Sequence, residues 1–346
     1  MTNRVQLTDL GRQLPARIDL FVCAASFEAR CRSIASPIAS VTSSAIIVRN
    51  RESLASSAAE AEKLQSLFGD KASEVILSLE SPTQTADVLA SSIIAKIKEV
   101  GSGNVFIDIT TFTHEQLLIL LGLIREHPTP ATITLGYTSA GEYSTNTTDE
   151  DVWLSRGVTT IRSVLGYPGR LSPSKRLHLM ILVGFESERA QLIIERLEPA
   201  QISLGIGDQA QSVSPEHFSR NARFHARLKE FVDRQMRTGT AVDTFTFSCI
   251  DADDARKAVL AHASKHADSN TVICPMNTKI STIGAGLAAL EYPQLQIIYA
   301  SPMEYNETGY SSPGNTVTLF ELQELLREPH LPQAAAAHPS LTNLES

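Results

Sequence analysis

Asp19-Leu20-Phe21-Val22-Cys23-Ala24-Ala25-Ser26-Phe27-Glu28-Ala29-Arg30 and His178-Leu179-Met180-Ile181-Leu182-Val183-Gly184-Phe185-Glu186-Ser187-Glu188-Arg189 follow one order. An apolar run ends in a small residue and Phe-Glu, with an arginine within the next turn. Working outward, Asn104 to Thr113, an apolar run opening into Asp108-Ile109-Thr110-Thr111, answers to Asn270 to Lys279, which opens into Asn277-Thr278-Lys279. Leu135 to Tyr143 answers to Ile297 to Tyr305, both ending in Glu-Tyr. The three shifts are 158 residues from Glu28 to Glu186, 166 from Asp108 to Cys274 and 162 from Glu142 to Glu304. Chance likeness between apolar strands is common, but three landmarks in order at one spacing are read as an internal duplication.

Each copy alternates short apolar runs with helical spacing. In the first, strands are expected at 18–25, 45–49, 75–79, 105–109 and 132–137, and helices at 27–35, 58–68, 85–100 and 115–125. The second copy repeats this from Leu177 to Tyr299, with a longer helical stretch at 216–237. Continuous apolar strands alternating with helices call for an α/β fold of two tandem Rossmann-like domains, each a parallel sheet with helices on both faces. The division expected is 1–143 for copy one, 144–176 for a packed connector carrying Trp153, and 177–327 for copy two. The Pro, His, Ala and Ser content of 328–346 lacks periodicity and reads as a disordered tail.

The remaining composition limits the function. A chain of 346 residues suffices for two domains, and 42% apolar with 20% charged residues is globular. There is no long uncharged apolar run and no signal-like start, so a cytoplasmic protein with no membrane role is expected. Cys23, Cys31, Cys249 and Cys274 make no Cys-x-x-Cys pair, which argues against disulfides and a zinc knuckle. A net charge of -8 argues against direct binding of duplex nucleic acid as the main task.

In open parallel sheets, ligands bind at the carboxyl ends of the strands, where helix N-termini offer unpaired N–H groups. All three landmarks fall there, so Ser26, Thr110, Thr111, Glu142, Asn277, Thr278, Lys279 and Glu304 are candidate ligand-binding residues, facing a cleft shared by both copies. A hydroxyl and an ammonium at a helix start, Thr278 and Lys279, suit a phosphate; the alternative is a capping Thr and a solvated Lys. Candidates for acid or base are Glu28, Asp108 and Glu186. Glu28 with Arg30, and Glu186 with Arg189, equally suit structural ion pairs. Asp108 lacks the second Asp of a phosphatase loop, Thr110 standing there, and reads as a ribose acceptor or a helix-terminal acid.

His262 and His266, four apart on a helix, share a face as metal ligands do, but no third ligand lies nearby in sequence and a surface pair is expected. No metal and no cofactor are expected: neither a glycine-rich dinucleotide loop nor a P-loop is present. Arg220, Arg223 and Arg227 share one helical face, with Arg234 and Arg237 beyond, and read as solvated or as a phosphate-facing stripe.

The strand, Thr278-Lys279 turn and small-residue helix of Val272 to Leu290 resemble the ligand loop of CARF domains, Rossmann-like sensors of cyclic oligonucleotides. Two such folds in one chain also resemble the SAVED arrangement. The family's usual Gly before Thr-Lys stands here as Asn277. The resemblance implies that Thr278 and Lys279 contact a nucleotide phosphate, with Thr110 and Thr111 opposite, in a bacterial antiviral system with a separate effector protein or a homo-oligomer as partner. Alternatives are an enzyme acting on nucleotides, either a phosphodiesterase or a glycosyl-type transferase, and a protein-interaction scaffold.

Overall fold

The computed structural model describes residues 2–143, 153–235 and 241–326. The expected disordered tail, Arg237 and most of the first half of the connector lie outside them. In chain order the strands are β1 (Asn3–Gln6), β2 (Leu20–Ala24), β3 (Ala45–Asn50), β4 (Ala72–Leu77), β5 (Asn104–Asp108), β6 (Thr132–Tyr143), β7 (Ser155–Arg156) and β8 (Thr160–Pro168). Then follow β9 (Leu177–Leu182), β10 (Gln201–Gly207), β11 (Ala241–Phe247), β12 (Asn270–Pro275), β13 (Gln296–Ser301), β14 (Glu304–Tyr305) and β15 (Ser311–Glu321).

The two main sheets have matching orders, β4-β3-β2-β5-β6-β15-β1 and β11-β10-β9-β12-β13-β8. In each, the five core strands are parallel, as their apolar runs demand: β2 is buried at every position because both of its faces are covered. The chain is α/β with two Rossmann-like sheets. The expectation of wholly parallel sheets is corrected at their edges, where β15 joins β6, β1 joins β15, and β8 joins β13, all antiparallel.

Those edge strands are exchanged. β8, within the stretch expected as connector (144–176), completes the second sheet, whereas β15, within the stretch expected as copy two (177–327), is inserted into the first. Between them β7 and β14 pair antiparallel, Tyr305 opposite Ser155.

The two copies meet through the helices His114–Glu126 and Lys279–Glu291. Thr113 caps the first with a reciprocal capping box to Gln116, and Thr278 caps the second by accepting from Ser281 N. The first helix is apolar nearly all round and buries Leu117, Leu118, Ile119, Leu120, Leu121 and Ile124, each contributing about 1.5–3 kcal/mol. The second is built from Gly, Ala and Ser and lets the pair approach closely: a Cβ at Gly286 would stand 2.7 Å from Leu121 Cδ2 and 2.8 Å from Leu118 Cδ2. One hydrophobic core therefore runs from Leu20 and Ile107 of the first sheet through this pair to Met180 and Ile273 of the second. The outer face of each sheet has a core of its own.

Candidate functional site

The carboxyl ends of both sheets open on one cleft of about 1020 Å³. It is lined by Ser26, Phe27, Glu28 and Arg30 after β2 and by Gly184, Phe185, Glu186 and Arg189 after β9. Its floor is the pair of helix starts, Thr113-His114 and Thr278-Lys279.

Each Phe-Glu-Arg corner is an ion pair closed by a serine. Arg30 Nε and Nη2 donate to Glu28 Oε2 at 3.0 and 2.6 Å, and Ser311 Oγ donates to the same oxygen at 2.5 Å. Arg189 Nη1 donates to Glu186 Oε1 at 3.1 Å, and Ser155 Oγ donates to that oxygen too. The serines come from the segments that carry the exchanged strands. The aromatics cross as well. Phe27 packs on Tyr305 with ring centroids 5.8 Å apart, and Phe185 on Tyr143 at 5.0 Å. Each phenylalanine belongs to one copy and its tyrosine to the other, an arrangement with twofold pseudosymmetry. Burial pushes the Tyr143 and Tyr305 phenols up, so both remain protonated.

Lys279 lies among these groups with no hydrogen bond or ion pair to any described residue. It keeps partial exposure to the cleft, but the depth of the site desolvates its ammonium and brings its pKa down to about 8. Glu28 and Glu186 oppose that shift; Arg30 and Arg189 add to it. The first copy has His114 in the equivalent place, one residue past the helix cap. Its Nδ1 lies 2.6 Å from Thr282 Oγ1 of the second copy, and desolvation, with repulsion from Lys279 and Arg189, holds it neutral. Thr113 and Thr278 both cap their helices, so His114 and Lys279 are counterparts, one position away from the pairing of Thr113 with Lys279 that the apolar runs suggest.

The other candidates divide by depth. Ser26, Thr110, Thr111, Asn277, Thr278 and Glu304 line the cleft; Glu142 and Asp108 do not. The Thr278 hydroxyl is already used, donating to Cys249 O at 2.9 Å and accepting from Ser281 N. Thr111 Oγ1 donates to Ala24 O and Asn277 Nδ2 to Val183 O, each tying a loop to the neighbouring strand end. Asp108 is buried beneath Thr110, whose N–H and hydroxyl both donate to its Oδ1. Desolvation, only partly offset by those bonds and Arg30, raises its pKa to about 7. Glu142 is exposed, its N–H donating to Ser312 Oγ at 3.0 Å. None of Arg220, Arg223, Arg227 and Arg234 lines the cleft: Arg220 donates to Tyr143 O, Arg227 lies over Phe224, and Arg234 pairs with Glu230.

The expected surface pair of histidines is corrected. His262 is buried, because the end of the helix Ala252–Ser264 packs onto the sheet, and His178 joins the pair. The four cysteines are free and buried. Among the described residues no helix is long and apolar enough to cross a membrane.

No family model and no curated protein matches the chain. Among solved structures it is similar to a type III CRISPR defence DNA nuclease activated by cyclic oligoadenylate, at 10% identity and TM-score 0.46, covering 78% of this chain. The match spans 64% of that nuclease chain, a little under two thirds of its length. It is also similar to the cytoplasmic domain of a prokaryotic cation chloride cotransporter, at 10% identity and TM-score 0.23, covering 84% of this chain and 99% of the other.

Proposed function

We propose that the shared cleft binds a nucleotide ligand by its phosphates, and that binding rather than turnover is its task. What carries this reading is Lys279: a part-buried, desolvated ammonium with no acceptor among the described residues, on a helix start, between two ion pairs that leave it the uncompensated charge of the floor. Retaining a desolvated cation costs stability, and an anion recovers that cost. Flanking aromatic pairs offer faces on which bases stack.

The pseudosymmetry favours a ligand that repeats its own groups, and a cyclic oligonucleotide would present similar edges to both rims. Together with the resemblance of Val272 to Leu290 to CARF loops, this makes a sensor in antiviral defence the specific form of the proposal, acting through a separate effector protein or a homo-oligomer. Binding is favoured over catalysis because the candidate bases are engaged. Glu28 and Glu186 each accept from an arginine and a serine, and Asp108 lies below the cleft. An ion-paired carboxylate is a weak base, since the neighbouring guanidinium favours its charged form.

The test is native mass spectrometry of the purified chain with a panel of linear and cyclic nucleotides, repeated with Lys279→Ala. A charge-assisted contact of about 1.5–3 kcal/mol predicts a loss of roughly 10- to 100-fold in affinity. Thermal unfolding of the free variant should stay unchanged or rise, since a desolvated charge has been removed. Unchanged affinity removes Lys279 from the site; ligand converted to product during incubation replaces binding with an enzymatic reading.

A further inference from the structure

At the opposite end of the second sheet from the cleft, three imidazoles meet. His178, the second residue of β9, is fully buried; His262 lies in the last turn of the helix Ala252–Ser264 and is buried; His266 follows one turn later and is part-buried. One ring nitrogen from each lies within 4.8 Å of the others. The Asp243 carboxylate, on the edge strand β11, stands 3.7 Å from His262 Nε2 and 3.9 Å from His266 Nε2. The rings are held in place by their neighbours: Phe245 stacks on His262 at 4.4 Å between centroids, and His178 and His266 pack with tilted rings at 4.0 Å.

Hydrogen bonding within the protein leaves one nitrogen on the inner side of this group unpaired. Ser203 Oγ lies 2.7 Å from Nε2 of both His178 and His262, donating to one ring and accepting from the other. His266 Nε2, the nitrogen that faces Asp243, is buried with no hydrogen-bond partner. Buried polar atoms left in this state call for an explanation, an ion among them. Outside the cluster, Thr271 Oγ1 lies 3.1 Å from His178 Nδ1, the kind of outer hydrogen bond that orients a metal-bound imidazole.

We propose that His178, His262, His266 and Asp243 form a binding site for a divalent transition ion of the zinc class. Three imidazoles and a carboxylate are the donor set such ions prefer, and four protein donors complete a tetrahedron. To reach bonds of about 2.0–2.1 Å the donors draw together. His266, just past its helix, and Asp243, half-exposed on an edge strand, are the ones with room to move. A closed set of ligands far from the cleft is a structural site: the ion fastens β11 and the end of the helix to β9.

The test uses the full chain after treatment with chelator, titrated with Co²⁺ and then Zn²⁺. Expected are the intense visible bands of tetrahedral cobalt at one equivalent, their loss on adding Zn²⁺, and a rise in unfolding temperature of at least about 3 °C at a hundredfold excess over Kd. His178 is a core residue, so the variant is His266→Gln, on the exposed side of the cluster. It should lose the tetrahedral bands and bind at least about tenfold more weakly, while retaining whatever nucleotide binding the unaltered chain has. No tetrahedral spectrum in the unaltered protein, or the same spectrum and shift in His266→Gln, overturns the assignment.

Discussion

Lys279 and His114 occupy the same place in the two copies and differ in charge, so the cleft is symmetric in shape and unsymmetric in electrostatics. Lys279, held down to about 8, gives opposite pH dependences for binding and for folding. Only the ammonium attracts phosphate, so affinity should fall by roughly tenfold between pH 7 and pH 9 as the charged fraction falls. The unfolded chain, with an ordinary lysine, binds more protons than the folded one between about pH 8 and pH 10.4, so stability from this residue rises across that window. Calorimetric titration and denaturant unfolding across this range check both, and Lys279→Ala should flatten both. A binding curve level from pH 7 to 9 would contradict the role of the ammonium. Repeated spacing was enough to bring Thr278 and Lys279 forward. His114 escaped because a lysine answered by a histidine leaves no identity to match. Ser155 and Ser311 escaped because their contacts with Glu186 and Glu28 depend on exchanged strands that no local pattern encodes.

At the level of elements, the core strands and long helices were legible in hydrophobic period, and Ala58–Phe68 is found at the expected bounds. The stretch expected as one helix at 27–35 is instead two short turns, Ala29–Arg32 and Ala35–Ile38. Arg30, in the first of them, reaches back to Glu28 and across to Thr138 O. β15 was not legible: no strand was expected beyond Tyr299, Ser312-Pro313-Gly314 interrupts its alternation, and its register with β6 shifts at Pro313. The equivalent loops after β2 and β9 also differ in tolerance. A Cβ at Gly184 would stand 1.8 Å from the backbone oxygen of Met276, where the ends of β9 and β12 touch, whereas the first copy carries Ser26 at that place. Gly184→Ala should therefore cost about 3 kcal/mol, since backbone must move, while Ser26→Ala stays near neutral. Denaturant midpoints measure the difference, and equal midpoints would contradict the close approach.

For the molecule as a whole, the shared core through the helices His114–Glu126 and Lys279–Glu291 predicts that the copies unfold as one unit. Calorimetry should show a single transition with equal calorimetric and van't Hoff enthalpies, although chains of this size often separate into domains. Two resolved transitions would mean that the core couples the copies weakly. The duplication was visible in sequence; the exchange was not, because both arrangements use the same strands and differ only in which sheet receives them.

That exchange also sets an order of events during synthesis. The first sheet cannot be finished when its own copy leaves the ribosome: β1 and β6 wait for β15, which is translated after nearly everything else described. Until then β6 offers an open edge to any passing strand, so a nascent or truncated first half is the form of this protein most exposed to aggregation and most in need of a chaperone.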